Sequence, residues 1–268
     1  MDIIEIKNLS FRYKDKFIFE DFSLFINRGD WVTIAGPNGA GKTTLVKLIA
    51  GLEKSYSTIK IFNMDVNKKN INKIRKEIGF CFDNPDSLLA CETVEDELAF
   101  SLENIAIAPS TIKKKIDEIS SLLNIKDLLK KNPFYLSGGQ KQKVSLACAL
   151  MLEPRILILD ESLNMIDVNE RKRLLKTLKE YCKQKRMTIL SFTHDLDEAI
   201  YSDRLVVINE GKIIIDGAFP EIFNEENVMR KIGLEVPFEI EVSRKLALYD
   251  LMADLELDLK GLVDKLWK

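Results

Sequence analysis

Short apolar runs separated by turn residues open the chain. Ile3–Ile6 alternates with polar neighbours in the manner of an edge strand. Phe17–Ile26 repeats the pattern, is interrupted at Glu20 and Asp21, and ends at the turn residues Asn27-Arg28-Gly29-Asp30. Trp31–Ala35, Thr58–Phe62 and Ile78–Phe82 read as further strands, with a helix over Thr44–Ala50 and a short one over Ile71–Lys76. The period changes near Asn84. Over Thr93–Ala106 the apolar positions Val94, Leu98, Ala99 and Leu102 recur at helical spacing. Ser110 is expected to cap a helix over Thr111–Leu123 with Asp117 and Glu118 on its wet side, and Ser137 to cap another over Gly138–Leu152. Residues 86–153 therefore read as a helical insert. Strands return at Ile156–Leu159, Thr188–Phe192 and Leu205–Ile208, with a helix over Val168–Lys185 and a turn at Asn209-Glu210-Gly211-Lys212. Such alternation predicts an α/β fold with a mostly parallel, helix-covered sheet.

The tail has its own pattern. Gly233, Pro237 and Phe238 break the preceding periodicity, and Val242–Leu257 is helical in composition. Leu246, Leu248, Leu251, Met252 and Leu255 give it a broad apolar face, which Leu259, Leu262, Val263, Leu266 and Trp267 continue. Such a face covers the chain's own core or meets another subunit. The expected division is a domain over residues 1–220, complete in its core, and an extension over 221–268.

Composition narrows the classes. The 40 basic and 42 acidic residues leave a formal charge of −2, which gives no sign of a general nucleic-acid binder. Cys81, Cys91, Cys148 and Cys182 lack paired CxxC spacing, against a disulfide framework or a thiolate zinc site and for a reducing compartment. The acidic opening MDIIEIKN predicts no signal peptide, and no apolar run reaches membrane-spanning length.

Within this frame, Gly36-Pro37-Asn38-Gly39-Ala40-Gly41-Lys42-Thr43 lies between a strand and a helix. That is the setting of a loop whose backbone N–H groups curve around phosphates, with the helix N-terminus behind them. Lys42 is expected to reach the terminal phosphates, Thr43 to bind magnesium, and Thr44 to cap the helix and add a phosphate contact. Asp160 ends the strand Ile156–Leu159, where its carboxylate can hold magnesium from the opposite side, and Glu161 follows as the candidate to orient and polarise an attacking water. His194, the single histidine, follows Leu190–Thr193. Alone it reads as a surface residue. Its place after another strand end puts it at the same edge.

A further motif carries a resemblance. Leu136-Ser137-Gly138-Gly139-Gln140 matches the signature of the ATP-binding cassette family in full. The resemblance implies a P-loop NTPase with a RecA-like core, an N-terminal antiparallel β region, a helical insert and a small C-terminal extension. It implies two cassettes paired head to tail, so that Ser137, Gly138, Gly139 and Gln140 act on the partner's ATP. Tyr13 matches the aromatic that stacks on adenine, and Met165-Ile166-Asp167 the loop coupling the two sites. Asp160, Glu161 and His194 match the metal-holding acid, the catalytic acid and the switch histidine. More narrowly the chain resembles the energy-coupling factor importers of vitamins or transition-metal ions. The supporting stretches are Phe11-Arg12-Tyr13, Gly29-Asp30-Trp31-Val32, Asn84-Pro85-Asp86-Ser87, Thr93-Val94-Glu95-Asp96-Glu97, Thr193–Ala199 and Ile232–Phe238. The last of these looks like the first of that group's two ATPases. The implied partners are a second homologous ATPase, a transmembrane coupling protein and a substrate-capturing membrane protein, at the cytoplasmic face of the membrane. The tail would then help to hold the two ATPases together.

Asp83 departs from the pattern. The family has a glutamine there that touches magnesium and the attacking water. Asp83 is shorter and anionic, is expected to bind magnesium directly or through water, and is expected to slow hydrolysis. Ser162-Leu163-Asn164 replaces a smaller family segment and is expected to alter packing. The competing readings are an ATPase of another cassette importer or exporter, a soluble cassette ATPase acting on DNA or ribosomes, and a non-catalytic interaction module. The second usually carries a coiled-coil insertion or a fused second cassette, which are not in this chain. Glu161 and Lys42 argue against the third.

Overall fold

The computed structural model of the chain describes residues 2–55, 58–87, 89–218, 222, 226–249, 252 and 259–266. Strands β1 (Asp2–Tyr13) and β2 (Lys16–Asn27) lead into β3 (Trp31–Ala35), α1 (Lys42–Ile49), β4 (Thr58–Ile61), β5 (Met64–Asp65), α2 (Ile71–Arg75) and β6 (Ile78–Phe82). Helices α3 (Val94–Glu103), α4 (Pro109–Leu122) and α5 (Gly138–Met151) form the insert. The chain continues through β7 (Ile156–Asp160), α6 (Val168–Lys185), β8 (Thr188–Thr193), β9 (Arg204–Asn209), β10 (Lys212–Ala218), α7 (Glu226–Lys231), α8 (Phe238–Ala247) and α9 (Leu259–Leu266).

The strands make two sheets, β2-β1-β4-β5 and β10-β9-β3-β8-β7-β6. The second is parallel from β9 to β6, with β10 added as an antiparallel hairpin arm. Its central strands are buried on both faces, and the two-residue pleat sorts their side chains. Val32, Ile34, Ile156 and Ile158 pack with α1 and the antiparallel sheet. Trp31, Leu157, Leu159 and Ile189 pack with the insert and α6. This is a RecA-like P-loop core with its N-terminal antiparallel sheet and helical insert.

Three local expectations change. β1 is an interior strand, because β4 pairs along its far side (Ile4↔Ile61, Ile6↔Ile59). Its alternation reports one wetter face, not a free edge. The interruption at Asp21 is a bulge: Asp21 has φ 55, and the register slips between Leu9↔Phe22 and Phe11↔Phe19. Helix α4 starts earlier than expected, with Ala108 at its N-cap and Pro109 in the first turn, so Ser110 lies inside the helix. Proline's fixed φ and missing N–H suit that position.

The tail is divided differently too. Ile222, Met229, Leu234, Val236 and Ile240 pack with Ala35, Leu196, Leu205 and Val207, so the core continues past residue 220. The expected helix over 242–257 is in fact α8, which begins after Pro237 and ends at Ala247. Leu251, Leu255, Leu257 and Trp267 lie outside the described residues. Leu262 of α9 is buried, while Leu259, Val263 and Leu266 share an exposed stripe. Among the described residues no helix is long and apolar enough to cross a membrane.

Candidate active site

The loop after β3 is shaped by close backbone approaches. The Gly36 N–H donates to the Thr193 carbonyl at 3.3 Å, and a Cβ on Gly36 would lie 2.3 Å from the Ile208 carbonyl oxygen. Gly39 and Gly41 hold φ at 84° and 111°, in the left-handed region that side chains disfavour. Gly41 is the N-cap of α1, which starts at Lys42. Thr44 is therefore inside the first turn and does not cap the helix. Asn38, Gly39 and Thr43 are exposed, and Thr44 is half-buried. Pro37 accepts the Ala40 N–H at 3.1 Å.

Lys42 is almost wholly buried, and its ammonium donates to the carbonyls of Gly36 (2.6 Å) and Pro37 (3.3 Å). It also lies 3.4 Å from Glu161 Oε1. The other Glu161 oxygen, Oε2, lies 3.3 Å from His194 Nδ1. Glu161 itself has φ 49°, and its N–H donates to the Phe192 carbonyl at 2.9 Å. A non-glycine residue in that conformation costs about 1–3 kcal/mol, and the bond to β8 holds it there.

Asp160 pairs across the sheet with Phe82 on one side and Phe192 on the other. Burial first, then the Glu161 and Asp83 carboxylates, push its pKa up to about 6, against the opposing pull of Lys42. Asp83 is exposed, one residue beyond β6. Thr43, Asp160 and Asp83 thus offer a hydroxyl and two carboxylates, the hard oxygen donors that magnesium takes. Among the described residues no three acidic, His or Cys side chains form a closed metal cluster. Phosphate oxygens would have to complete the coordination, as they do in P-loop enzymes.

Tyr13 sits at the end of β1, edge-on to Phe11 at 4.9 Å, and its hydroxyl donates to Glu53 Oε1 at 3.2 Å. Burial and Glu53 push that hydroxyl's pKa up, while the neighbouring Thr44 side chain pulls it down. Tyr13 therefore stands beside the start of α1.

The sequence-predicted residues thus fall into two groups. The loop, Asp83, Asp160, Glu161 and His194 gather at the carboxyl ends of the parallel strands, the usual place for ligands in such sheets. Ser137–Gln140 lie at the start of α5. There Ser137 accepts the Gln140 N–H and Gln140 Oε1 accepts the Ser137 N–H, closing a capping box. Cβ atoms on Gly138 and Gly139 would meet Met165 Sδ at 2.7 Å and the Met165 carbonyl oxygen at 2.8 Å. The two glycines therefore let α5 sit directly on the Met165–Ile166 loop of the same chain.

Other residues escaped the sequence reading. Gln142 accepts the Met165 N–H at 2.9 Å. Arg171 donates to Asp195 Oδ2 at 2.7 Å and reaches Glu198 at 3.7 Å. Asp86 pairs with Lys141 of α5 at 2.6 Å, tying the stretch after Asp83 to the signature helix. Their partners are remote in sequence, and no spacing announces them.

Comparison with known proteins adds an independent finding. Residues 19–164 match the family described as ABC transporter. The chain is 41% identical over 243 residues to "Energy-coupling factor transporter ATP-binding protein EcfA1" of Leuconostoc mesenteroides, covering 90% of this chain and 89% of that protein. It is 40% identical over 272 aligned positions to the protein of the same name from Streptococcus pneumoniae, covering 99% and 98%. Among solved structures, cbiO1 of Clostridium perfringens, described as part of the ABC transporter complex cbiONQ, superposes with TM-score 0.78 at 32% identity over 93% of this chain and 99% of that one. The cassette MJ0796, solved as a dimer with ADP and Pi, shares the fold at TM-score 0.73 and 24% identity, covering 80% and 98%.

Proposed function

The chain belongs to the ABC transporter family and is an ATP-hydrolysing enzyme, and from that premise we propose that it is the first of two paired ATPases energising an energy-coupling factor importer for vitamins or transition-metal ions. The observation that carries the catalytic assignment is the single carboxylate of Glu161 bridging Lys42 (3.4 Å) and His194 (3.3 Å). Lys42 is held ready by the carbonyls of its own loop, and the phosphates of ATP take over its ammonium. Pro37, Asn38 and Ala40 supply loop backbone around those phosphates, and Tyr13 stacks on adenine. Thr43 and Asp160, with Asp83, would hold magnesium, which when bound neutralises phosphate charge. Glu161 accepts a proton from the attacking water as the water oxygen bonds the terminal phosphorus and the bond to ADP breaks, and His194 steadies that carboxylate and hydrogen-bonds the terminal phosphate.

Ser137, Gly138, Gly139 and Gln140 act on the partner ATPase's nucleotide. The capped, dipole-bearing start of α5 supports this, since it favours phosphate. A groove of about 340 Å³ between β6 and the insert, lined by Ile78, Phe80, Leu89, Phe100, Cys148 and Leu152, suits the coupling helices of a transmembrane subunit. The chain would sit peripherally at the cytoplasmic face, joined through that subunit to a substrate-capturing membrane protein. In this reading residues 221–268 are a C-terminal extension that packs in part on the domain's own core, its end serving ATPase pairing.

Glu161→Gln tests the centre of this reading. In the assembled complex, with the partner's catalytic acid also neutralised, ATP affinity should persist and turnover at this site should vanish. Near-normal single-site turnover would exclude Glu161 as the base.

A further inference from the structure

The residue before His194 and the residue after it are both clamped. Thr193 ends β8, and its Oγ1 accepts the Asp195 N–H at 3.0 Å. Asp195 Oδ1 accepts the Asp197 N–H at 2.9 Å, and Oδ2 accepts Arg171 Nη2 at 2.7 Å. Nη1 of the same guanidinium lies 3.7 Å from Glu198, a carboxylate almost completely buried. His194 itself is half exposed, and its Nδ1 lies 3.3 Å from Glu161 Oε2. The backbone under the imidazole is thus fixed from both sides, and the ring itself meets Glu161. A single side chain from another element, Arg171, closes that clamp.

Arg171 stands in the first turn of α6, whose N-cap is Asp167, the last residue of the Met165–Asp167 loop. Its N–H donates to the Asp167 carbonyl at 2.7 Å. Its neighbours bond elsewhere: Glu170 with Lys143 of α5 at 2.7 Å, and Lys172 with Glu239 of α8 at 3.2 Å. The turn that begins at the coupling loop therefore grips the signature helix, the histidine segment and the C-terminal extension through three successive residues.

We propose that Arg171 is a positioning residue for hydrolysis: through Asp195 and Glu198 it holds His194 in register with Glu161, and it makes the Met165–Asp167 loop and the histidine segment move as one body. This rests on the roles given above to Glu161 and His194. Removing the guanidinium leaves Glu198 buried without its cation and Asp195 held only by its local bonds to Thr193 and Asp197. Lysine carries the charge on a point donor and cannot hold both carboxylates in the same fork.

The test is single-site turnover in the assembled complex, with the partner's catalytic acid neutralised. Arg171→Met should lower kcat by about tenfold to a hundredfold, as a displaced catalytic group does, with the KM for ATP nearly unchanged. Arg171→Lys should recover part of the loss. In a His194→Ala background, Arg171→Met should cost nothing more, because its effect passes through the imidazole. Arg171→Met combined with Glu198→Gln removes the stranded carboxylate, so it should recover thermal stability and leave kcat low. It also serves as the readable variant if Arg171→Met folds poorly. Unchanged kcat in Arg171→Met would overturn the proposal. So would an equal further loss in the His194→Ala background, or a return of kcat together with stability. Full turnover in His194→Ala alone is a different result, which removes the role assigned to the histidine and with it this inference.

Discussion

At the scale of single residues, the site crowds like charges together. Asp160 is buried beside Glu161 and Asp83, and its pKa is raised from 3.8 to about 6. A raised folded-state pKa means that the folded chain binds this proton more tightly than the unfolded chain. Stability therefore falls as pH rises from about 4 to about 6 and stays lowered above that. Asp160→Asn should stabilise the nucleotide-free chain near pH 7.5 by up to about 3 kcal/mol. The gain should shrink as pH approaches about 4, where both states hold the proton. Urea unfolding at the two pH values reads this directly, and an equal gain at both would show that the carboxylate charge is not the cause. Replacing Asp83 by glutamine removes one neighbouring charge, so the same scan should show part of the gain.

At the scale of elements, the start of α5 combines two features. Its capping box and dipole suit an anion from outside the chain, while its glycines are demanded by packing inside it. A Cβ on Gly139 would come within 2.8 Å of the Met165 carbonyl oxygen and 3.3 Å of Ile166 Cα. Backbone does not step aside as a flexible side chain does. Gly139→Ala should therefore destabilise the chain by about 1–3 kcal/mol with no nucleotide present. If Gly139 served the partner's ATP alone, the unfolding midpoint without nucleotide would not move. A lowered midpoint would show that Gly139 and the Met165–Asp167 loop are coupled by contact within one cassette before any dimer forms.

At the scale of the whole molecule, the C-terminal extension has two parts with different burdens. Ile240 and Glu239 of α8 are buried, and Lys172 anchors that helix to α6. Cutting at residue 242 would split α8 and expose the core. The apolar stripe of Leu259, Val263 and Leu266 on α9 faces outward instead. Removing residues 250–268 should leave a folded monomer that binds ATP and pairs more weakly with the proposed partner ATPase when nucleotide is absent. Sedimentation of the truncated chain with that partner measures the pairing. Undiminished association would assign the stripe another task, and an unfolded monomer would make α9 part of the chain's own core.

The sequence by itself determined the strands of the parallel sheet, the phosphate loop, the acids at Asp160–Glu161 and the capped start of α5. Each is written in local chemistry: unbroken apolar runs, glycines where the backbone must turn, a serine three residues before a glutamine. The gathering of Lys42, Asp160, Glu161 and His194 was legible as well, because parallel strands in one sheet present their carboxyl ends together. Tertiary structure decided what depends on partners remote in the chain. β4 made β1 an interior strand, though its polar alternation looked like an edge. Apolar residues from 222 to 240 found their cover in Leu196, Leu205 and Val207. Arg171 found Asp195 and Glu198, and Gly139 found Met165. Propensity and periodicity report which face of an element is dry and where the backbone bends. They carry no record of which distant element fills that face, and here that choice fixed the surroundings of the histidine and of the signature loop.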